Sequence, residues 1–214
     1  MIALIKCHLQ LTTIVQMKNQ HDRILQTAGS LFAQSGIRSN TMDNLARHCG
    51  VSKNVLYEYF ANKETLVRNV VEILISGIEQ RLRISACIAP NAAMEMVNHF
   101  RHVQDYCGYL TPRFIWDLKK YHPDEYKLLQ QLKNDKVVPF ISQNLIRGME
   151  EGIYRSDINT DLVSWLYPWQ LENVFEKEWL YPHNRGELVR CINCLFLRGI
   201  LNAKGDKLLP NTQE

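Results

Sequence analysis

The sequence predicts an all-α protein, and three observations carry that reading. Apolar residues recur at helical spacing along nearly the whole chain. No alternating strand pattern, tandem repeat or low-complexity linker interrupts them. The segment Thr41–Phe60 reads as two short helices that meet at a tight turn, with Ala46, Gly50, Val51 and Leu56 placed where a helix-turn-helix needs small, turn-forming and apolar residues. A helix presented in this way can enter a DNA major groove, which makes DNA binding the leading expectation.

The elements follow in order. Ile24, Ala28, Leu31 and Phe32 lie on one face of a helix expected over about 19–35, and Gly36 is a suitable stop. Thr41 is a natural N-cap for a helix over about 42–48. Gly50 makes the turn, because glycine tolerates the positive φ that a sharp reversal needs. Ser52 caps a third helix over about 53–59. Asn62 caps a fourth, with Glu64 in its first turn suiting the helix dipole. That helix carries Leu66, Val70, Ile73, Leu74 and Ile78, and is expected to reach about residue 84. After the break at Ala89-Pro90-Asn91, a helix is expected over about 92–107, with a turn near Gly108. Pro112 and Pro123 suit first helical positions, and Pro139 is expected to kink or divide the stretch 124–150. Residues 151–157 read as a loop. Thr160 is expected to cap the next helix, which contains Pro168, and a last strong helix is expected over about 185–202, ending at Ala203-Lys204-Gly205.

With 214 residues the chain can bury one or two real cores. No apolar run reaches the roughly 18 residues that a membrane span requires. The formal net charge is +3. Between residues 18 and 63 there are six lysines and arginines against three acids, so the excess belongs to the helix-turn-helix end. That placement suits a phosphate-binding surface. Six scattered cysteines without an evident secretory signal point to reduced thiols and a cytoplasmic protein. Residues 1–16 read as an upstream extension or flexible arm, or else a short added helix, since Met17-Lys18-Asn19 resembles a natural start. No nucleophile–base pair, phosphate loop or metal cluster emerges, so neither enzymatic activity nor a cofactor is expected. A protein-interaction module built on a helix-turn-helix fold is the alternative.

From residue 18 to about 85 the sequence resembles the DNA-binding domain of the TetR family of transcriptional regulators. The resemblance rests on Thr41-Met42, Leu45-Ala46, Gly50-Val51-Ser52-Lys53 and Leu56-Tyr57-Glu58-Tyr59-Phe60, followed by Lys63-Glu64 and Leu66. The chain departs from the family's habit at Ile37, where an aromatic residue is common, and at Asn54, where a small one is. The C-terminal half is looser in its similarity, carried by Glu150–Asp157 and Leu195–Leu201. The resemblance implies an N-terminal three-helix domain over residues 17–62, a connecting helix over 63–84 and an effector-binding and dimerisation domain over 85–214. It also implies a homodimer that binds double-stranded operator DNA and an unidentified small-molecule effector, away from any membrane.

Ser52, Lys53 and Asn54 open the expected recognition helix, where side chains meet base edges first. Lys53 can donate to guanine or to a phosphate, and Asn54 can pair with adenine. Ser52 is first a cap and then a phosphate ligand, and Thr41 stands at a helix N-terminus that favours phosphate. By the resemblance, Tyr57 hydrogen-bonds a phosphate and Lys63 reaches the DNA backbone.

Tyr109, Phe114, Trp116, Tyr121, Trp165, Tyr167, Trp169 and Phe175 fall in helices that surround the ligand cavity in the resembling family. His99, His102 and Arg113 are the polar candidates there, with Trp116, Trp165 and Trp169 as aromatic ones. His99 and His102 share a helix face, but no acidic or cysteine partner completes a metal site. Leu162, Cys191, Leu195 and Phe196 are the candidates for the dimer interface. Cys191 and Cys194 form a C-x-x-C whose better reading is an apolar helix face at that seam.

Overall fold

The computed structural model describes residues 20–177 and 184–208. The expected arm over residues 1–16 lies outside these. Helix α1 covers 20–35, α2 Met42–Cys49, α3 Lys53–Tyr59 and α4 Lys63–Ile88. The second half holds α5 (Ala92–Tyr106), α6 (Pro112–Tyr121), α7 (Pro123–Leu132), α8 (Val138–Glu150), α9 (Thr160–Glu176), α10 (Arg185–Ile200) and the short α11 (Ala203–Asp206). Among the described residues there are no β-strands, and the only bridge joins Tyr154 to Leu201.

Side-chain caps set most of the helix starts. Thr41 Oγ1 accepts from the Asn44 N–H at 3.2 Å, Ser52 Oγ from Val55 at 3.3 Å and Asn62 Oδ1 from Thr65 at 2.8 Å. Asn91, Thr111, Asn184 and Asn202 do the same for α5, α6, α10 and α11. Each satisfies a backbone donor that the first helical turn leaves without a partner. Three boundaries differ from the sequence reading. Helix α4 runs to Ile88, four residues beyond the expected end, because nothing breaks it before Pro90. Helix α9 is capped by Asn159, which takes the Leu162 N–H at 3.1 Å, while Thr160 is already its first helical residue. Helix α10 stops at Ile200, and Asn202 starts a separate turn with its side chain. Pro139 acts through a π-helical turn, Lys133–Val137, immediately before α8. Proline crowds the carbonyl four residues back and donates no hydrogen bond, and a widened turn accommodates both.

Two apolar cores result. The first packs α1, α2, α3 and the start of α4 through Phe32, Leu45, Leu56, Phe60 and Leu66, all essentially inaccessible to solvent. Helix α6 completes it with Phe114, Ile115 and Leu118. The second joins α5, α8, α9 and α10 through Met96, Phe100, Ile141, Leu145, Tyr167 and Leu197. A buried polar network fastens the start of α5 to α8. Asn144 Nδ2 donates to the Ala92 carbonyl and to Glu95 Oε2 at 2.8 and 2.9 Å, and Tyr154 Oη donates to Asn144 Oδ1 at 3.0 Å. Arg147 bonds Glu95 and Glu151, which leaves no member of this buried group unpaired. Helix α4, 26 residues and so about 39 Å long, reaches both halves of the fold.

Candidate nucleic-acid interface and interhelical cavity

Helices α2 and α3 meet at Gly50, whose φ of 69° is left-handed. The Val51 N–H returns to the Ala46 carbonyl at 3.0 Å, and Leu45, Ala46 and Leu56 lock the pair against the first core. The opposite face is open to solvent. Thr41, Ser52, Lys53, Asn54 and Tyr57 are all exposed there. The two capping hydroxyls accept from backbone N–H groups, so each keeps its own O–H free to donate to a phosphate. Lys53 Nζ is held 2.7 Å from Asp43 Oδ1, and this bond raises its pKa above the ordinary lysine value. A phosphate contact by Lys53 therefore exchanges one anion for another, and a base contact exchanges the carboxylate for a neutral acceptor.

Lys63 is only half exposed at the first position of α4. Burial pushes its ammonium below the ordinary value, against the attraction of Glu64 and Asp117. Tyr59 and Phe60 pack inward, beside the His21 ring. Arg47 and His48, which the sequence reading did not single out, are exposed in the last turn of α2. Their position at a helix C-terminus beside the turn is the signal that would have marked them.

Helix α6 links this domain to the second half. The buried Asp117 accepts the Arg38 backbone N–H on Oδ2 at 3.0 Å. Thr111 Oγ1 donates to the Ala33 carbonyl at 2.7 Å, and Arg38 Nη1 donates to Tyr121 Oη at 2.8 Å.

Beyond α6, helices α4, α5, α7 and α9 line a half-open cavity of about 160 Å³. Ile78, Leu82, Val103, Ile115, Leu129, Leu171 and Phe175 give it a mainly apolar wall. His99 and His102 both line it, as expected. The other ligand candidates lie elsewhere. Arg113 and Trp116 open onto a surface depression with Arg38 and Asp117. Trp165 and Trp169 are 50% and 60% exposed on the outer face of α9. Of the eight aromatic residues expected around the cavity, Phe175 lines it. The polar wall includes residues that sequence reasoning missed: Arg81, Tyr106, Tyr126, Gln130, Lys133, Glu172 and Glu176. Tyr106 follows His99 and Val103 at helical spacing, a pattern visible in the sequence.

His99 is 5% exposed and packed among the rings of Phe100, Phe140 and Tyr167. Burial pushes its pKa from 6.5 down to about 3, with a smaller push from His102. The unfolded chain binds this proton more readily than the native state between those two values. Stability is therefore complete above the unfolded pKa and falls as the pH drops below it. By about pH 5 this one group should cost roughly 2 kcal/mol. Thermal unfolding of the wild type and His99→Leu at about pH 7.5 and pH 5 checks this. The wild type is expected to lose more stability on acidification than the variant, and equal losses would refute it.

Of the dimer candidates, Leu162 and Leu195 are 69% and 67% exposed, and Cys191 is also exposed, as is Cys194. Phe196 instead turns inward, its ring 4.6 Å from that of Tyr167. Among the described residues no helix is long and apolar enough to cross a membrane, and no three His, Cys, Asp or Glu side chains converge as a metal site.

Similarity to known proteins agrees with this geometry. The family of bacterial regulatory proteins, tetR family, matches residues 24–70. An uncharacterized HTH-type transcriptional regulator of Bacillus subtilis (strain 168), YvaF, is 27% identical over 184 residues, covering 83% of this chain and 94% of that protein. The HTH-type transcriptional repressor KstR2 of Mycobacterium tuberculosis is 26% identical over 164 residues, covering 69% and 76%. The solved structure of a TetR-family regulator from Agrobacterium tumefaciens superposes with a TM-score of 0.72 at 12% identity, over 86% of this chain and 99% of that one. At that identity the likeness is one of fold, and the sequence matches carry the assignment. The chain belongs to the TetR family of DNA-binding transcriptional regulators.

Proposed function

We propose that the protein is a ligand-responsive, homodimeric, cytoplasmic repressor of a pseudo-palindromic operator. The observation that carries this reading is the exposed face of α3, opened by Ser52 and continued by Lys53, Asn54 and Tyr57, above a fully buried Leu56. Residues 17–62 form the reading head, α4 the connection and residues from 85 onward the regulatory half. Ser52, Thr41, Tyr57 and Lys63 hold phosphates, while Lys53 and Asn54 sample base edges. Two such heads on a two-fold dimer enter successive major grooves. A molecule in the cavity shifts the equilibrium between DNA-binding and released states only if it favours one of them. Ile115 touches both the cavity and the first core, so the cavity wall and the reading head share a side chain.

Mobility-shift titration against an operator found by random-oligonucleotide selection tests the reading. Tyr57→Ala and Lys63→Ala are each expected to weaken binding about tenfold while leaving the melting temperature near the wild-type value. Affinity is expected to fall by on the order of 10³ between about 50 and 200 mM salt. Unchanged affinity in both variants would overturn the site, and failure to enrich any sequence at low salt would overturn DNA reading by this face.

A further inference from the structure

We propose that Arg38 is a further ligand for the operator's phosphate backbone, and that Tyr121, the last residue of α6, positions it. The proposal deepens the DNA-binding reading given above and rests on it. Where Arg38 stands, what holds it and what it lacks carry the inference.

Arg38 lies in the turn between α1 and α2, three residues before Thr41, the cap of α2. It also lies close to Lys63, the first residue of α4. Burial is the main cause that lowers the Lys63 ammonium, and the Arg38 charge lowers it further. Arg38 thus neighbours two residues proposed above as phosphate ligands. Both of its anchors come from α6. Its backbone N–H donates to the buried Asp117, and its Nη1 donates to Tyr121 Oη at 2.8 Å. Its guanidinium carbon stands 5.0 Å from the centre of the Tyr121 ring. An exposed arginine normally samples many rotamers, and ordering it on binding costs free energy. Here the phenol fixes the direction of the side chain before DNA arrives.

What Arg38 lacks is an anion. Its side chain is exposed, and among the described residues no carboxylate forms an ion pair with it. A second cation, Lys120, lies 5.4 Å from the centre of the same Tyr121 ring, and Arg113 lines the same depression as Arg38. Against Lys63, Arg38, Arg113 and Lys120 stand Asp117 and Glu64, while Lys119 and Glu176 pair with each other. Asp117 is buried and already bonds a backbone N–H, so the surface here stays positive. The guanidinium donors that Tyr121 leaves unused suit a phosphate in geometry and charge. The clamp also gives α6 its own line to the DNA. Ile115 of α6 lines the cavity, and Tyr121 follows it by six residues, about 9 Å along the helix. A displacement of α6 therefore moves the anchor of Arg38 without passing through α4.

The salt dependence of DNA affinity tests this, measured by fluorescence anisotropy with the full-length protein, the selected operator and a scrambled duplex. Arg38→Gln is expected to weaken binding to both duplexes alike, by about tenfold at about 50 mM salt. The slope of log K against log salt concentration should become shallower by about 2 for the dimer, one phosphate contact for each protomer. Arg38→Lys is expected to keep the slope, because the charge remains. It should not recover full affinity, because an ammonium cannot hold the phenol and a phosphate in one planar fork. Tyr121→Phe keeps the ring and every charge, and is expected to cost about threefold in the wild type but nothing in the Arg38→Gln background. Arg190→Gln, an exposed change on α10, should leave the slope alone. A wild-type slope and affinity in Arg38→Gln would overturn the phosphate contact. Equal losses from Tyr121→Phe in both backgrounds would overturn the positioning role. If Tyr57→Ala and Lys63→Ala weaken binding and Arg38→Gln does not, this proposal alone falls. If the wild type binds neither duplex at low salt, the DNA-binding reading falls with it.

Discussion

Gly36→Ala is expected to destabilise the protein by about 3 kcal/mol, several times the cost of Gly50→Ala. Both glycines sit at positive φ, 82° and 69°, so both substitutions bring the backbone cost of a left-handed alanine, roughly 1 kcal/mol. Their surroundings separate them. A Cβ on Gly50 meets nothing within 4 Å. A Cβ on Gly36 would lie 2.7 Å from Asp117 Oδ2 and 3.0 Å from Arg113 Cγ. Asp117 is 3% exposed, and the same Oδ2 accepts the Arg38 N–H, so the carboxylate cannot turn away without abandoning that donor inside the junction. Separating a buried carboxylate from its donor adds about 1–3 kcal/mol. The result is read as a fall in melting temperature of roughly 6–12 °C for Gly36→Ala. Because Asp117 ties α6 to the reading head, operator affinity in that variant should also respond less to cavity ligands. Equal melting temperatures for the two variants would show that α6 does not hold the α1–α2 turn.

The difference between the two glycines also marks what a sequence discloses. Gly36 and Gly50 read as turn residues from their neighbours along the chain, and the caps at Thr41, Ser52 and Asn62 are legible for the same reason: each acts within three residues of itself. The Asp117–Arg38 bond spans 79 positions, and no local pattern announces it. Helix α9 shows the limit most sharply. Leu162, Trp165, Leu166 and Trp169 form one apolar face, while Tyr167, Leu171 and Val174 form another. With apolar residues on both sides, helical period alone does not tell which side meets the core. The tryptophans expected at the cavity therefore proved to be on the outside, and Phe196, expected outside, packs on Tyr167. The cavity's polar residues escaped for a related reason. Arg81, Lys133 and Glu172 look like ordinary solvated charges until their partners, 24 to 39 positions away, are known.

Leu195→Glu is expected to convert the proposed dimer to a monomer and to lower operator affinity by on the order of 10²–10⁴. Leu195 on α10 and Leu162, Leu166, Trp165 and Trp169 on α9 are between 47% and 69% exposed, although all are apolar. An apolar surface of this extent on two adjacent helices marks an interaction site. Across a two-fold axis each residue appears twice, so one substitution removes two leucines and places two carboxylates in the seam. Burial of each leucine contributes about 1.5–3 kcal/mol, and an unpaired buried charge opposes association further. Each monomer keeps its reading head intact but holds only one half-site, and the gain from tethering the second head disappears. The melting temperature extrapolated to low protein concentration should barely change, since this side chain has no place in the monomer's core. Leu162→Glu, on the neighbouring helix, is expected to act alike, whereas Ile73→Glu, 46% exposed on α4, should not. Sedimentation at micromolar concentration and mobility shift on full and half operators separate the outcomes. A Leu195→Glu protein that sediments as a dimer and retains full-operator affinity would place the association surface elsewhere. A monomeric variant that keeps that affinity would break the link between dimerisation and operator reading.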